Sequence, residues 1–435
     1  MENKFINGLA GFAGKLATQR HVMAIRDAFI MTVPITIAAS IFVLINNVVL
    51  NPEIIPAVAN LPFVDKLSEI CVQVYNGTIG ILGLLITFLI GYNLAKTYKM
   101  DGPIEGIMSV ACYVALVPNI LSGLTPEWED VTIQAALPQT YTNASIMFLG
   151  IIAALVSVTI MHHITKSGKL GIKMPDSVPP AIAKSFNSVF PVLIILTLFG
   201  AIEVILRSLT GTDVPDLIAR ILQIPLVGGF QTLPGIVLYV FLATFVFIFG
   251  IHGAFVFGAI SGPVLSIAQQ QNLDAIQLGQ AAPNIVSGPF LDVFVYMGGG
   301  GTMLCLIIAL FIGSKREDER AIAKLGAVSG IFNISEPIMF GLPVVFNLVY
   351  AIPFCIVPVV ATIIAYVATA TGFASPTYVS IPWVTPPVLS GYLATGGDIK
   401  ASLVQIVILI IGTLIYLPFV LVSNNMAKKQ ATVAE

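Results

Sequence analysis

Residues 28–50 read AFIMTVPITIAASIFVLINNVVL, twenty-three positions without a single charge. A bilayer core about 30 Å thick needs about 20 apolar residues in a helix, so this stretch is long enough to cross one. Working outward, similar runs occupy 77–95, 103–122, 146–160 and 189–205, with Glu105 in the second of these and Glu203 in the last. Further runs follow at 233–250, 254–268, 293–313, 344–371 and 403–422. The expected fold class is therefore an all-α polytopic membrane protein with about ten transmembrane helices.

Composition agrees with that reading. Of 435 residues, 57% are hydrophobic and 10% charged, against about 25% charged in an ordinary soluble domain. Twenty Lys and Arg against 22 Asp and Glu leave a formal charge of -2, so there is no basic field for nucleic acid. Cys71, Cys112, Cys305 and Cys355 are widely separated, without CxxC or Cys/His spacing, and no metal or other cofactor is expected. No signal-peptide pattern opens the chain. Phe5, Leu9, Phe12 and Leu16 recur at helical spacing, which fits either a helix lying on lipid headgroups or a loose tail.

Short cytoplasmic loops collect Lys and Arg. With ten spans, sixteen of the twenty basic residues fall on the side of the termini, leaving Lys66, Arg207, Arg220 and Lys400 opposite. Both termini are thus expected in the cytoplasm. The 207–232 stretch, with Leu217, Ile221 and Leu222 set against Asp213, Asp216 and Arg220, reads as an amphipathic interfacial helix. Segments 269–292, 325–343 and 372–397 are too apolar for water and broken by Gly, Pro and polar residues. Broken backbone at membrane depth persists only against protein or a water-filled cavity, which predicts re-entrant hairpins around a site. The chain accordingly divides into 1–206, about five regular spans, and 207–435, about five spans with the hairpins.

Polar groups in those broken segments are the candidates, because a charge at the bilayer centre costs about 2.5 to 3.5 kcal/mol on insertion scales. Glu336 leads, within NISEPIMFGLP at 333–343, where Asn333 or Ser335 can cap a short helix and Pro337 suits its first turn. The bland alternative is a surface loop carboxylate near Lys324. His252 follows, in FGIHG at 249–253, where flanking glycines permit close approach; a packing histidine is its alternative. Trp383, within SIPWVTPP at 380–387, offers a ring face to a sugar or anchors at the interface. Asn284 offers both donor and acceptor to a hydroxyl-rich ligand, or caps a helix.

Other polar features read as structural or stay open. Asp292 either pairs across the site or sits at the interface, and Glu203 pairs with Arg207 at i,i+4. Gly298 to Gly301 lacks the following Lys-Ser or Lys-Thr of a phosphate loop and suits close packing. The charged run from Lys315 to Arg320 is a solvated face, with a docking surface as the minor option. Without a nucleotide-binding loop, energy must come from a gradient or a partner.

NISEPIMFGLP, FGIHG and the Pro- and Gly-rich segment around Trp383 resemble the membrane IIC component of the bacterial sugar phosphotransferase system, in its lactose, cellobiose and diacetylchitobiose family. The resemblance covers essentially the whole chain. It implies a multi-pass permease of the bacterial plasma membrane, embedded in lipid and homodimeric through its first half. The second half would bind a cellobiose- or diacetylchitobiose-like disaccharide in re-entrant hairpins. Glu336 and His252 would be the catalytic pair, and the sugar contacts would be Glu336, His252, Asn333, Asn284 and Trp383. The phosphoryl donor would be a separate, phosphorylated IIB protein fed by IIA, this chain carrying no phosphoryl-accepting residue of its own. A proton-coupled symporter using the same Glu336 and His252 is the alternative function, and a non-transporting membrane scaffold a third.

Overall fold

The computed structural model describes residues 15, 18–52, 55–124, 130–170, 172, 175, 178–249, 252–342, 344 and 348–434. Apart from Lys15, the amphipathic stretch expected over 5–16 lies outside them. The first half holds α1 (Arg20–Leu44), α2 (Val64–Asn76), α3 (Leu82–Thr97), α4 (Pro103–Ala115), α5 (Met147–Ser167), α6 (Pro180–Asn187) and α7 (Val189–Thr210). A bent pair follows, α8 (Val214–Gln231) and α9 (Leu233–Phe247). Then come α10 (Gly253–Gln277), α11 (Met303–Gly313), α12 (Glu317–Ile331), α13 (Glu336–Gly341), α14 (Leu348–Ala370), α15 (Leu389–Ala394) and α16 (Ile399–Ala434).

Helix ends follow local chemistry. Pro103 opens α4, and the Glu105 carboxylate accepts the Gly102 N–H at 2.9 Å, satisfying a donor the helix leaves free. Gly279, at φ +68°, terminates α10. Among the described residues, seven helices are long and apolar enough to cross a membrane. The count rises to eight if α8 and α9, bent by 86°, form one span.

The helical membrane fold is thus as expected, these helices number fewer than the ten spans expected, and two of the expected runs differ in detail. The run at 103–122 is helical only to Ala115, because Pro118 breaks the pattern. Beyond it, Ile120–Leu124 (β1) pairs antiparallel with Asp130–Gln134 (β2), a hairpin absent from the all-α expectation. The run at 254–268 lies within α10, whose later turns carry Gln269, Gln270, Gln271, Asn272 and Asp274 and are too polar for lipid. The 207–232 stretch is helical, as expected, and Gln223 on α8 donates to the Ser145 carbonyl at 2.7 Å, tying it to the first half.

Several hydrophobic clusters fill the spaces between the helices. Leu94, Met108, Tyr113, Leu149, Met161 and Phe199 fill the space among α3, α4, α5 and α7. Met303, Leu310, Ile338, Phe354 and Tyr416 fill that among α11, α13, α14 and α16. Ile25, Ile86 and Met147 meet Val264, Ile267 and Ala268 along the seam between the halves. Leu193, Leu209, Ile312 and Leu414 remain exposed, an arrangement that suits hydrocarbon as solvent.

Candidate functional site

Four broken segments meet in the second half. His252 is the cap residue before α10, half-buried, with its ring 4.5 Å from that of Phe247 at the end of α9. Gly253 fixes this position: a Cβ there would lie 2.2 Å from the Ala243 carbonyl, so only glycine lets α10 start this close to α9. Phe247 in turn packs on Gly300, where a Cβ would lie 2.5 Å from its ring.

Gly300 belongs to the Gly298–Gly301 turn, in which Gly298, Gly299 and Gly301 have positive φ. A Cβ on Gly299 would lie 2.7 Å from that of Ser335. The turn is therefore a close-packing element against the 333–343 segment, as its sequence indicates. Asn333, at φ 62°, closes the assembly. Its Oδ1 accepts the Gly298 N–H at 2.8 Å, and its Nδ2 donates to the carbonyls of Trp383 at 2.6 Å and Thr385 at 3.0 Å. One buried side chain thus joins three loops, each polar atom satisfied.

Behind Asn333, Ser335 is the cap residue and Glu336 the first residue of α13. The expected side-chain cap is absent; the Met339 N–H goes to the Ser335 carbonyl instead. Ile338 and Met339 are buried, and a Cβ on Gly326 would lie 2.1 Å from Ile338, so α13 folds back tightly on α12. The outer end of α12 is anchored by Glu319, which is buried although its neighbours in the charged run are exposed or half-exposed. Ser314 and Ser423 donate to its carboxylate at 2.6 Å each and Tyr350 at 2.7 Å. The expectation of a solvated run therefore holds around Glu319 but not at it. Next to it, the Arg316 guanidinium bonded to Asp318 holds that carboxyl below the usual range.

Of the five expected sugar contacts, the segments bearing four converge: His252, Asn333, Glu336 and Trp383. The Asn333 amide is used inside the fold, and Trp383 is 51% exposed. Asn284 belongs to a different cross-link. Its Nδ2 donates to the Ala268 carbonyl and to Gln271, and Asn272 bonds its backbone on both sides.

Sequence reading missed a cavity of about 450 Å³ at the seam, bounded by α1 and α3 on one side and by α10, Asp292, Tyr296 and Ser380 on the other. That volume is in the range of small-ligand sites. Its polar lining includes Arg26, Thr36, Gln269 and Gln270, and Asp292 is exposed within it. Among the described residues, His252, Asn284, Asn333 and Trp383 do not line it. It adjoins their segments, since Tyr296 precedes the glycine turn and Ser380 lies three residues before Trp383. The run of Gln and Asn at 269–272 in an otherwise apolar helix is the signal that marks it.

The Glu203–Arg207 pairing is present at 3.8 Å, and Glu203 also accepts the Val214 N–H at 3.4 Å. Among the described residues no cluster of metal-binding side chains forms.

Known proteins show the same architecture. The crystal structure of the transporter ChbC, the IIC component from the N,N'-diacetylchitobiose-specific phosphotransferase system, superposes with a TM-score of 0.89 at 31% identity, covering 97% of this chain and 98% of that one. The oligo-beta-mannoside-specific EIIC component of Bacillus subtilis (strain 168) is 34% identical over 99% of this chain and 96% of its own length. The cellobiose-specific EIIC component of Lactococcus lactis subsp. lactis (strain IL1403) is 31% identical over 97% of each. The lactose-specific EIICB component of Staphylococcus haemolyticus (strain JCSC1435) is 27% identical over 95% of this chain and 69% of its own length. With the family model "Phosphotransferase system, EIIC" matching residues 26–358 as well, this multi-pass membrane protein belongs to the EIIC permease family of the sugar phosphotransferase system.

Proposed function

We propose that the chain carries a disaccharide of the cellobiose or diacetylchitobiose kind inward and presents one hydroxyl to a phosphorylated IIB protein, itself charged by IIA. The observation that carries this reading is the convergence of the His252, Gly298–Gly301, Asn333–Glu336 and Trp383 segments in a member of the EIIC family. The printed substrates of the cellobiose- and diacetylchitobiose-specific relatives support the sugar class. The lactose-specific EIICB relative supports IIB as the partner. A symporter is not favoured, since these relatives are phosphotransferase components.

Phosphoryl transfer passes through a loose transition state, so the protein mainly positions the acceptor hydroxyl and receives its proton. In this reading Glu336 and His252 do both, at the sugar end to be phosphorylated, with Trp383 against a ring face. Asn333 keeps the loops in register rather than spending its amide on the sugar. The seam cavity is the approach route, its Asp292 and Gln269 offering partners to hydroxyls. Ten spans in all, a homodimer built on residues 1–206, a moving half of 207–435 and cytoplasmic termini complete the proposal. The bias of sixteen basic residues to four supports that orientation.

Vesicles containing the chain, given labelled cellobiose or diacetylchitobiose, should accumulate sugar phosphate only with phosphorylated carrier proteins, unaffected by protonophore. Free sugar accumulating without carriers and lost with protonophore would replace this reading with a symporter. Glu336→Gln should lower phosphorylation at least about 100-fold, the low end of general acid–base contributions. Unchanged binding and phosphorylation would remove Glu336 from the site.

A further inference from the structure

A second polar cleft lies in the first half and shares no residue with the hairpins or the seam cavity. It has a volume of about 520 Å³ and is lined by Arg20 and His21 from α1, Tyr98 after α3, and His162 and His163 from α5, with Thr18 and Gln19 at its edge. Tyr98 holds two of these groups: the His162 ring stacks on it at 4.0 Å and the Arg20 guanidinium lies 4.8 Å from its centroid.

Hydrogen bonds settle the protons. The Gln19 Oε1 takes the Val22 N–H, so its Nε2 faces His21 and donates to Nδ1 at 2.8 Å. His21 is thus neutral, with its Nε2–H toward the Thr159 hydroxyl at 3.4 Å. His163 bonds the Thr159 carbonyl through Nδ1 at 2.7 Å, and a carbonyl only accepts. Its Nε2 therefore donates outward only when the ring is protonated.

Arg20, His162 and His163 form no salt bridge among the described residues. Lys166 adds positive charge beside His162. Asp101, three residues beyond Tyr98, is not part of the lining. The N-terminal dipole of α1 adds to this field and the C-terminal dipole of α5 subtracts from it, so the side chains decide its sign.

We propose that this cleft binds a phosphate group, with Arg20 as the fixed cation and His162 and His163 as donors. Phosphate suits a planar guanidinium beside imidazoles that donate when charged. The phosphate can belong to a phospholipid headgroup or to a free ion, and the chemistry of recognition is shared. Because His163 must gain a proton to donate, binding strengthens as pH falls. Arg20, His21, Tyr98, His162 and Lys166 are the groups that face it. The inference does not rest on the sugar reading.

The test is histidine modification by diethylpyrocarbonate on the purified full chain in detergent, read by peptide mass. Phosphatidylglycerol, phosphatidylcholine and inorganic phosphate are added separately at pH 6 and pH 8. Protection of His162 and His163 by phosphatidylglycerol alone, stronger at pH 6, identifies a lipid headgroup. Protection by inorganic phosphate identifies a free-ion site. Protection equal with phosphatidylcholine, or none at all, overturns the proposal. Native mass spectrometry of the Arg20→Gln/His162→Gln variant supplies a second readout. It should retain about tenfold less of the protecting ligand, equivalent to 1.4 kcal/mol, whereas retention equal to wild type overturns the site.

Discussion

The α3–α4–α5 packet and the hairpin region of the second half keep their backbones together by opposite means. In the packet, glycines bring helices close and the contacts are mostly apolar: Gly91 faces Ser109 on α4, Gly150 faces Thr87 on α3, and the spaces between are filled by Leu94, Met108 and Leu149. In the hairpin region, loops are joined by side chains that hydrogen-bond backbone. Asn333 ties three loops. Gln405 accepts the Val388 and Gly391 N–H groups and donates to the Val293 carbonyl. Regular helices satisfy their own backbone and need only shape, whereas broken segments leave amides and carbonyls that something else must satisfy. The region that needs polar cross-links is therefore also the one in which polar groups can face a ligand.

The largest test of this contrast is Asn333→Ala. It strips partners from one N–H and two carbonyls and places a Cβ-bearing residue without a polar side chain at φ 62°. Leaving buried groups unpaired costs about 1–3 kcal/mol each, so a loss of about 3 kcal/mol is expected by thermal or denaturant melting in detergent. A loss under about 1 kcal/mol would mean that the loops hold without their polar clamp.

Next is Gly150→Ala in the packet. The added Cβ would lie 2.2 Å from the Thr87 hydroxyl but 3.5 Å from its Cβ. Overpacking should cost about 1–3 kcal/mol, and Thr87→Ala in the same chain should recover most of it. No recovery in the double variant would show that shape alone does not govern the packet. Asn333→Ala has no comparable single rescue, because its partners are backbone groups in two separate loops.

The smallest effect is expected at the anchor of α12. Arg316 bonds Asp318 and holds its carboxyl below the ordinary range, so the unfolded state takes up its proton first. The pair's contribution is present above the ordinary carboxylate range and is lost as pH falls through the lowered folded value. Since the Asp318 side chain is 60% exposed, Asp318→Asn should cost under about 1 kcal/mol at neutral pH and nothing below that window. A larger loss, read as melting against pH, would assign this pair the structural weight that Glu319 is expected to carry.

Much of the fold was legible because charge-free runs have few stable states in lipid. Each of the ten expected runs overlaps helix, though seven helices, or eight with the bent pair, reach the length of a span among the described residues, and the three segments read as broken apolar stretches are broken here. Proline at 118 was the visible reason that one span stops early. The site was legible by segment and less so by residue. His252 and the Glu336 segment were marked by glycine and proline context, but nothing in NISEP says that Asn333 turns inward, nor in 315–320 that Glu319 does. The seam cavity joins residues as distant as Arg26 and Ser380, and no local pattern reports such pairs.

By itself, the sequence determined that this chain spans a membrane many times, that its second half breaks where its polar residues gather, and which family it resembles. These follow from composition, run length and local motif, which need no knowledge of neighbours. Only the tertiary structure decided that Asn333 clamps three loops, that Asn284 belongs to a separate cross-link, and that Arg20 and three histidines share one cleft. The physical reason is that a polar side chain is spent on whatever partner lies within about 3 Å, and in this fold such partners come from segments 12 to more than 100 residues apart.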